Sequence, residues 1–490
     1  MLGSVSRQGA AVFLGRGAFL VLGLASNVLL SRILGPAGLG KFQLGFVLIQ
    51  LVTTFCVLGL DKALMRYFPI LETRGAGSRT LLNRSTGFVI AISLASSAAL
   101  FVVAPALANH YFHSAEMTGV VRMFCLYLPV FALFRFLSGA VMALKRADFA
   151  STVTNILSPA AFLVLLALAG MVHAGLYTSI LARSLSHLGG IVCLAVFLLR
   201  RIPKRPGDAA AAGSLKGYFR LSIPLFFVGL SYLLLGQMDI IMLGHFVSEK
   251  EVGVYSVAVR ISAFVIVGLE IVLPIVAPLF SQLGETRDAH STAALFRAVT
   301  KWVCNSALII FALIAVFRVE ILNVFGKGFA SGATVLLILS AGQLVNAVSG
   351  PCGQLLAMTG KQKWEVVNTI LIVALNFVLC LVLIPRMGTM GAAVATGLSI
   401  SVINIVKLAE IYFAYGFHPY NARYIKGVVA VSAGCLVCYY VRALLFGAGW
   451  GSMGIIVLAG LAFMIAALAG FFMLGLDQED RMAVAALRRR

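Results

Sequence analysis

Apolar segments of about 20 residues recur along the whole of this 490-residue chain and restrict the kind of fold it can adopt. We count about fourteen of them, each long enough to cross roughly 30 Å of hydrocarbon as a helix. They begin near residues 11, 40, 81, 119, 152, 175, 219, 252, 302, 331, 364, 389, 426 and 453. The composition agrees, because 61% of the residues are hydrophobic and only 11% are charged. The sequence therefore predicts an all-α polytopic membrane protein.

Six cations interrupt these apolar segments, and their burial needs a physical reason. They are Arg16, Arg122, Arg135, Arg183, Arg260 and Lys407. One charge at mid-bilayer costs roughly 2.5–3.5 kcal/mol, so six facing lipid would cost about 15–20 kcal/mol. A typical fold has only about 5–15 kcal/mol of stability. Most of these side chains are therefore expected to face a wet or anionic interior, which indicates a cationic cavity and a negatively charged cargo.

The net charge of +21 follows the predicted membrane topology and does not indicate nucleic-acid binding. If the N-terminus is cytoplasmic, about 25 of the 38 lysines and arginines fall on the cytoplasmic side and about seven on the far side. This is the positive-inside pattern of multi-pass proteins. We therefore predict that both termini are cytoplasmic, with some attraction of the basic loops to anionic lipid head groups.

An internal repeat divides the chain. Gly40 aligns with Gly253 and Phe42 with Tyr255, which gives an offset of about 213 residues, and the turn Gly170–Gly175 corresponds to Arg386–Gly391. Two six-helix halves related by an axis along the membrane normal are typical of transporters that bind substrate between the halves. We predict an N-terminal six-helix lobe (1–205), a cytoplasmic linker (206–218), a C-terminal six-helix lobe (219–425), two extra apolar helices (426–476) and a basic cytoplasmic tail (477–490).

Four arginines are candidates for binding an anionic group. Arg16 and Arg260 come first, since one lies in each half of the repeat and a guanidinium can bind phosphate through two hydrogen bonds. Arg135 and Arg183 are further candidates. Arg122 lies close to a predicted external helix end and is expected to snorkel to the interface.

Two acids within apolar segments, Asp239 and Glu270, carry a second prediction. Each is either a counter-ion of a buried arginine or a carboxylate that couples transport to H⁺ or Na⁺. Lys407 and Glu410 are predicted to pair with each other near the cytoplasmic end of their helix. Serine, threonine and asparagine stripes on several helices predict hydrogen bonds between helices.

No motif for catalysis or for a bound cofactor occurs in the sequence. There is no G-x-x-x-x-G-K-[ST] loop, no H-E-x-x-H and no G-x-S-x-G. The eight cysteines lie in or beside apolar segments, which predicts packing residues and no metal site. We therefore predict that the chain is not an enzyme and needs no cofactor apart from a coupling ion.

Several runs of the sequence resemble the oligosaccharide flippases of the Wzx or polysaccharide-export group. The runs are Ser31–Phe42, Gly59–Pro69, Gln237–Gly244 and Glu251–Arg260. These flippases belong to the MOP superfamily, which also contains the multidrug MATE exporters and the lipid II flippase MurJ. The resemblance covers the whole chain.

The resemblance implies a V-shaped bundle of two lobes in the cytoplasmic (inner) membrane that alternates between inward-open and outward-open states. The implied cargo is a polyprenyl-diphosphate-linked oligosaccharide, moved to the outer leaflet for surface polysaccharide assembly. Arg16 and Arg260 are the best-placed matches to cavity arginines that engage the diphosphate. The two C-terminal helices would border an apolar groove for the lipid tail. Implied partners are membrane lipids and a glycan polymerase or other assembly proteins.

Three alternatives stay open. A MATE-type drug or metabolite antiporter is disfavoured by the cationic cavity, because such pumps usually place acidic residues against a cationic drug. A lipid II flippase is disfavoured because the first two helices contain few arginines. A non-transporting scaffold of glycan assembly predicts that reversing the charge of Arg260 leaves glycan export intact.

Overall fold

The protein is helical throughout the part of the chain that the structure describes. The computed structural model describes residues 2–73, 78–171, 175–202, 215–286, 288–420, 424–447 and 452–473. Its α-helices are α1 (Leu2–Val57), α2 (Leu60–Thr73), α3 (Ser78–Ala106), α4 (Met117–Ala143), α5 (Ala147–Ser151), α6 (Ser158–Met171), α7 (Leu176–Arg201), α8 (Leu215–Phe246), α9 (Glu249–Ser262), α10 (Val267–Thr286), α11 (Ala289–Val324), α12 (Ala333–Ser349), α13 (Cys352–Met358), α14 (Gln362–Tyr415), α15 (Tyr424–Gly447) and α16 (Ser452–Met473). These ranges contain no strand, and the predicted all-α class is confirmed.

Many of these helices are suited to a bilayer. Within the described ranges, 11 helical segments are long and apolar enough to cross a membrane, judged by length and composition. Two of them have 53 and 54 residues, which is enough for two crossings each at about 1.5 Å per residue. A shorter apolar helix spans Gly454–Ala467. The chain is a multi-pass membrane protein, and the count of fourteen crossings stays a prediction.

A single glycine bends each of the two longest helices. α1 bends at Gly35, with φ 65°, and α14 bends at Gly388, with φ 56°. Both values lie in the left-handed region that residues with a side chain rarely adopt. Pro36 follows Gly35 and lacks the N–H group that would continue the helical hydrogen bonds. Each long helix therefore consists of two segments joined by a sharp bend.

The glycines that the sequence repeat aligned, Gly40 and Gly253, lie against each other. A Cβ atom added at Gly40 would be 1.7 Å from the carbonyl oxygen of Glu249, and one added at Gly253 would be 1.9 Å from that of Pro36. The contact is reciprocal, because each oxygen belongs to the residue four positions before the partner glycine. Small residues permit such close packing of helix backbones in membranes.

The chain divides into two compact units, Met1–Gly253 and Val254–Arg490. In the first unit, α8 packs against α1 and α2, although the sequence repeat assigns this helix to the second lobe. Compactness and sequence repetition are different criteria for dividing a chain. The lobe and linker boundaries predicted from the repeat therefore stay a prediction.

In the second unit, the last two helices, α15 and α16, pack against each other and against α11. The buried side chains of this cluster are Ala312, Phe317, Val431, Cys438, Ile455, Ala459, Phe463 and Ala467. The two helices are therefore held to the second unit by apolar packing along α11.

Candidate functional site

Arg183 on α7 lies among aromatic rings in the first unit. Its Cζ atom is 4.7 Å from the ring centroid of Phe162 on α6 and 5.6 Å from that of Phe46 on α1. A guanidinium within about 6 Å of a ring face is attracted by the ring quadrupole. Three helices therefore hold this half-buried cation, and no carboxylate of the described part of the chain pairs with it.

Beside Arg183, a buried tyrosine and a buried histidine form a hydrogen bond. The hydroxyl of Tyr127 lies 2.6 Å from Nδ1 of His187, which is one turn after Arg183 on α7. Phe134 packs on the imidazole with ring centroids 4.4 Å apart. Arg183 is close enough to act electrostatically on both Tyr127 and His187. Sequence reasoning missed Tyr127, because no local pattern shows which phenol will face His187.

Arg135 on α4 has a different environment. Its Nη1 atom donates a hydrogen bond to Oγ1 of Thr54 at 3.0 Å. Arg135 also lines a cavity of about 10 Å³, together with Asp61 and Lys62 at the start of α2. That volume suits roughly one water molecule. No pattern in the sequence associates Asp61 and Lys62 with Arg135.

Arg135 and Arg183 both contact α1. Their contacts Thr54 and Phe46 lie eight residues apart on α1, which corresponds to about 12 Å along the helix axis. Thr54 also donates its hydroxyl to the backbone oxygen of Gln50 at 2.9 Å, which fixes its rotamer. Two of the four predicted arginines thus share one region of the first unit.

The other candidates are placed as follows. Arg16 lies in α1, and its side chain falls outside the described residues. Asp239 on α8 is buried in the first unit, and its Oδ1 accepts a hydrogen bond from the backbone N–H of Ile240 at 2.8 Å. In the second unit, Arg260 is exposed in the last turn of α9 and Glu270 is half-buried in the first turn of α10. Their predicted roles stay predictions.

The predicted pairing of Lys407 with Glu410 is wrong. Lys407 donates to Oε1 of Glu365 at 2.7 Å, and Glu410 accepts from Nδ2 of Asn368 at 2.6 Å. The bend at Gly388 folds α14 back on itself. Lys407 therefore pairs with a residue of the first arm and not with Glu410, three residues away. A hydrogen bond of 3.3 Å from Asn376 to Thr396 joins the same two arms farther along.

The structure also describes the surroundings of Arg122 and one predicted hydrogen bond between helices, and the snorkelling of Arg122 stays a prediction. Arg122 is exposed, with its Cζ atom 4.8 Å from the ring centroid of Phe101. A hydrogen bond between helices links Asn404 on α14 to Asn346 on α12 at 3.2 Å. Among the described residues, no group of three histidine, cysteine or acidic side chains could hold a metal ion.

Comparison with known proteins identifies the family. The model of the family described as "Polysaccharide biosynthesis protein" matches residues 29–330, which is more than half of the chain. The chain belongs to this family. The resemblance predicted from the sequence is confirmed, since the match includes the runs from Ser31 to Arg260 on which it was based.

One similar protein comes from Haloferax volcanii. It is a probable low-salt glycan biosynthesis flippase, Agl15, and it is 26% identical over 307 residues. The alignment covers 61% of this chain and 58% of the relative. This chain therefore matches little more than half the length of that protein.

Solved structures show the same fold. The lipid II flippase MurJ in an inward closed conformation matches with a TM-score of 0.67 and 13% identity, covering 93% of this chain and 97% of MurJ. An inward-facing multidrug resistance MATE transporter of the MOP superfamily matches with a TM-score of 0.66 and 14% identity, covering 81% and 94%. The predicted MATE/MurJ fold is confirmed. These proteins are named as flippases and transporters, in agreement with the prediction that the chain is not an enzyme.

Proposed function

We propose that this protein is a flippase of glycan biosynthesis that moves a polyprenyl-diphosphate-linked oligosaccharide from the cytoplasmic to the outer leaflet by alternating access. It would act in the cytoplasmic membrane, with both termini cytoplasmic and with a glycan polymerase or other assembly proteins nearby. The family match, the relative named as a glycan flippase and the MurJ-like fold support this proposal.

One observation on the residues carries the proposal. Arg135 and Arg183 lie within membrane helices, and neither forms an ion pair with a carboxylate in the described part of the chain. A charge without an ion pair in an apolar span is costly unless an anion or water faces it. These two arginines are therefore available to an anionic cargo.

The environment of Arg183 suits phosphate binding. The guanidinium carbon of Arg183 lies over the rings of Phe46 and Phe162. The N–H donors point outward in that plane, so contact with a ring face leaves them able to donate to oxygen atoms. Arginine can then bind two phosphate oxygens at once, which a lysine cannot do.

Arg16 and Arg260 remain the predicted diphosphate pair, and Arg135 and Arg183 would guide the same anion in the first unit. Each of the four cations would interact more strongly with a diphosphate in a low-dielectric cavity than in bulk water. Asp239 and Glu270 are proposed to act as counter-ions or to couple transport to H⁺ or Na⁺.

The proposal is tested by export of surface glycan in a strain that lacks its own flippase. We expect Arg183→Ala and Arg260→Ala to abolish export, and Arg183→Lys to retain part of it because lysine keeps the charge but loses the planar fork. Arg122→Ala is the matched control, since Arg122 is an exposed arginine over a single ring. Membrane insertion of each variant is checked by quantitative immunoblotting.

The same assay separates the alternatives. Normal export in correctly inserted Arg183→Ala and Arg260→Ala variants, with a charge reversal at Arg260 also tolerated, would support a scaffold and contradict the proposal. Efflux of cationic drugs without glycan export would support an antiporter. If the carboxylate of Asp239 binds the coupling ion, Asp239→Asn should abolish gradient-driven flipping in vesicles. If Asp239 is a counter-ion, Asp239→Asn should reduce flipping less than Arg260→Ala does.

A further inference from the structure

An open groove lies between α5 and α7 at one end of the first unit. Its volume is about 430 Å³. None of its lining residues lies on α1, which carries Thr54 and Phe46, the contacts of Arg135 and Arg183. The lining residues are Phe149, Cys193, Val196, Phe197, Arg200 and Arg201. The groove has an aromatic and aliphatic wall and a basic end.

The wall of the groove is continuous with a lipid-facing stripe. Phe149 and Phe197 stack with ring centroids 4.5 Å apart and an interplanar angle of 21°. Val192, Val196 and Leu199 are exposed at helical spacing on α7. Apolar side chains exposed at this spacing on a membrane helix are expected to face hydrocarbon. An acyl chain can therefore pass from the bilayer along Val196 into the groove.

The basic end of the groove consists of Arg200 and Arg201 in the last turn of α7. Both are exposed, and neither has a hydrogen bond or ion pair with any described residue. Arg146, which lies over the ring of Phe197, differs because its Nε and Nη2 atoms donate to the carboxylate of Asp148 at 2.9 and 3.0 Å. Asp148 thus neutralises Arg146, whereas Arg200 and Arg201 have no carboxylate partner among the described residues.

Two simpler explanations account for the charges alone. Basic residues at a helix C-terminus compensate the helix dipole, and basic loops orient a membrane protein. Neither explanation requires an apolar groove beside the charges. Free phosphate would gain nothing from the wall, and a glycan would lack partners, since the groove lining contains no carboxylate or amide side chain among the described residues.

We propose that this groove binds one anionic phospholipid. Its phosphate would lie against Arg200 and Arg201, and the start of one acyl chain would lie along Val196 and the stacked rings of Phe149 and Phe197. Basic pockets beside membrane helices are known to recognise anionic head groups. The site is independent of the proposed flippase activity.

The test uses the full chain, purified and reconstituted in phosphatidylcholine nanodiscs, with a labelled phosphatidylglycerol as the probe. Arg200→Gln with Arg201→Gln should weaken binding about 30-fold, since each cation near the surface contributes about 1 kcal/mol. Val196→Trp keeps both charges but fills the groove, and it should abolish binding. Arg489→Gln with Arg490→Gln is the matched control, because it removes two tail cations, and it should bind like the unmodified protein.

Several outcomes would overturn the proposal. Full binding by Val196→Trp would mean that the arginines attract lipid only as surface charge. Displacement by millimolar inorganic phosphate would indicate a site for a free anion. Displacement by an equimolar polyprenyl phosphate would assign the groove to the cargo lipid. Equal retention of phosphatidylglycerol and phosphatidylcholine would show that the head group is not recognised.

Discussion

Arg442 on α15 donates a hydrogen bond from Nε to Oε1 of Glu320 on α11 at 2.7 Å, and its Nη2 lies 2.7 Å from the same oxygen in an ion pair. The side chain of Glu320 is only 6% exposed, whereas that of Arg442 is 31% exposed. The pair therefore ties a buried carboxylate to the C-terminal helices. Sequence analysis treated those helices as almost purely apolar and overlooked this arginine.

Removing one member of this pair should be more harmful than removing both. Arg442→Met leaves a buried carboxylate without its cation, and we expect a loss of about 3–5 kcal/mol of stability. The double variant Glu320→Met with Arg442→Met should recover most of that loss, because no charge remains buried. Thermal unfolding of the purified protein in detergent measures both. A double variant as unstable as Arg442→Met would contradict this account.

The reciprocal contact of Gly40 and Gly253 should not tolerate a methyl group. Each added Cβ would meet a backbone oxygen, which cannot move aside like a flexible side chain. We expect Gly40→Ala and Gly253→Ala each to cost about 1–3 kcal/mol, as in other overpacked sites. Gly87→Ala is the control, since a Cβ there meets nothing within 4 Å. The two changes act on one contact, so their combined effect should be smaller than the sum.

Asp288 should make the start of α11 sensitive to acid. Its carboxylate accepts a hydrogen bond from the backbone N–H of Ser291 at 3.0 Å, and hydrogen bonding to Ser291 lowers the pKa of Asp288 below its usual value. A lowered folded-state pKa stabilises the fold above the unfolded pKa of about 3.9, and that stabilisation is lost as the pH falls through the folded pKa. Asp288→Asn keeps a capping group but removes the titration.

The measurement for Asp288 is the difference in melting temperature between the unmodified protein and Asp288→Asn. This difference should favour the unmodified protein near pH 6 and shrink as the pH falls below about 4. Asp288→Ala should be less stable than Asp288→Asn throughout, since it also loses the cap. A difference that stays constant across this pH range would exclude a titrating cap.

Cysteine labelling should establish the topology. In a cysteine-free background, cysteines at positions 78, 207 and 485 should resist a membrane-impermeant reagent in intact cells, whereas a cysteine at Ser114 should react. The asymmetric distribution of about 25 against seven cations motivates this expectation. Labelling of position 207 from outside would contradict the topology and the repeat-based architecture that depends on it.

Local and repeated patterns made the fold predictable. Hydropathy alone indicates membrane helices, and the aligned glycines Gly40 and Gly253 prove to contact each other. The bend at Gly388 falls in the turn Arg386–Gly391, and the bend at Gly35 falls in the run Ser31–Phe42, both of which the sequence singles out. These features depend on residues close together in the chain or on a repeat, and both are visible without coordinates.

Side-chain partners were less predictable, because they come from distant parts of the chain. Lys407 pairs with Glu365, 42 residues away, and not with Glu410, three residues away. Arg442 and Glu320 are 122 residues apart. Arg183 lies against Phe46 and Phe162 where burial arithmetic led us to expect water or an anion. The free-energy cost of burying a charge indicates that the charge needs a partner, but it does not say which residue type supplies that partner.

The hydrogen bond between Lys407 and Glu365 has a consequence for biogenesis. Neither residue is well suited to entering hydrocarbon alone, since a single charge at mid-helix costs roughly 2.5–3.5 kcal/mol on insertion scales. The bend at Gly388 brings the two arms of α14 together in the folded protein, and we expect Lys407 and Glu365 to pair while the helix inserts. A lysine that is already paired with its carboxylate enters as a neutral unit. Lateral release from the translocon is therefore more favourable for α14 as one hairpin than for its arms in succession.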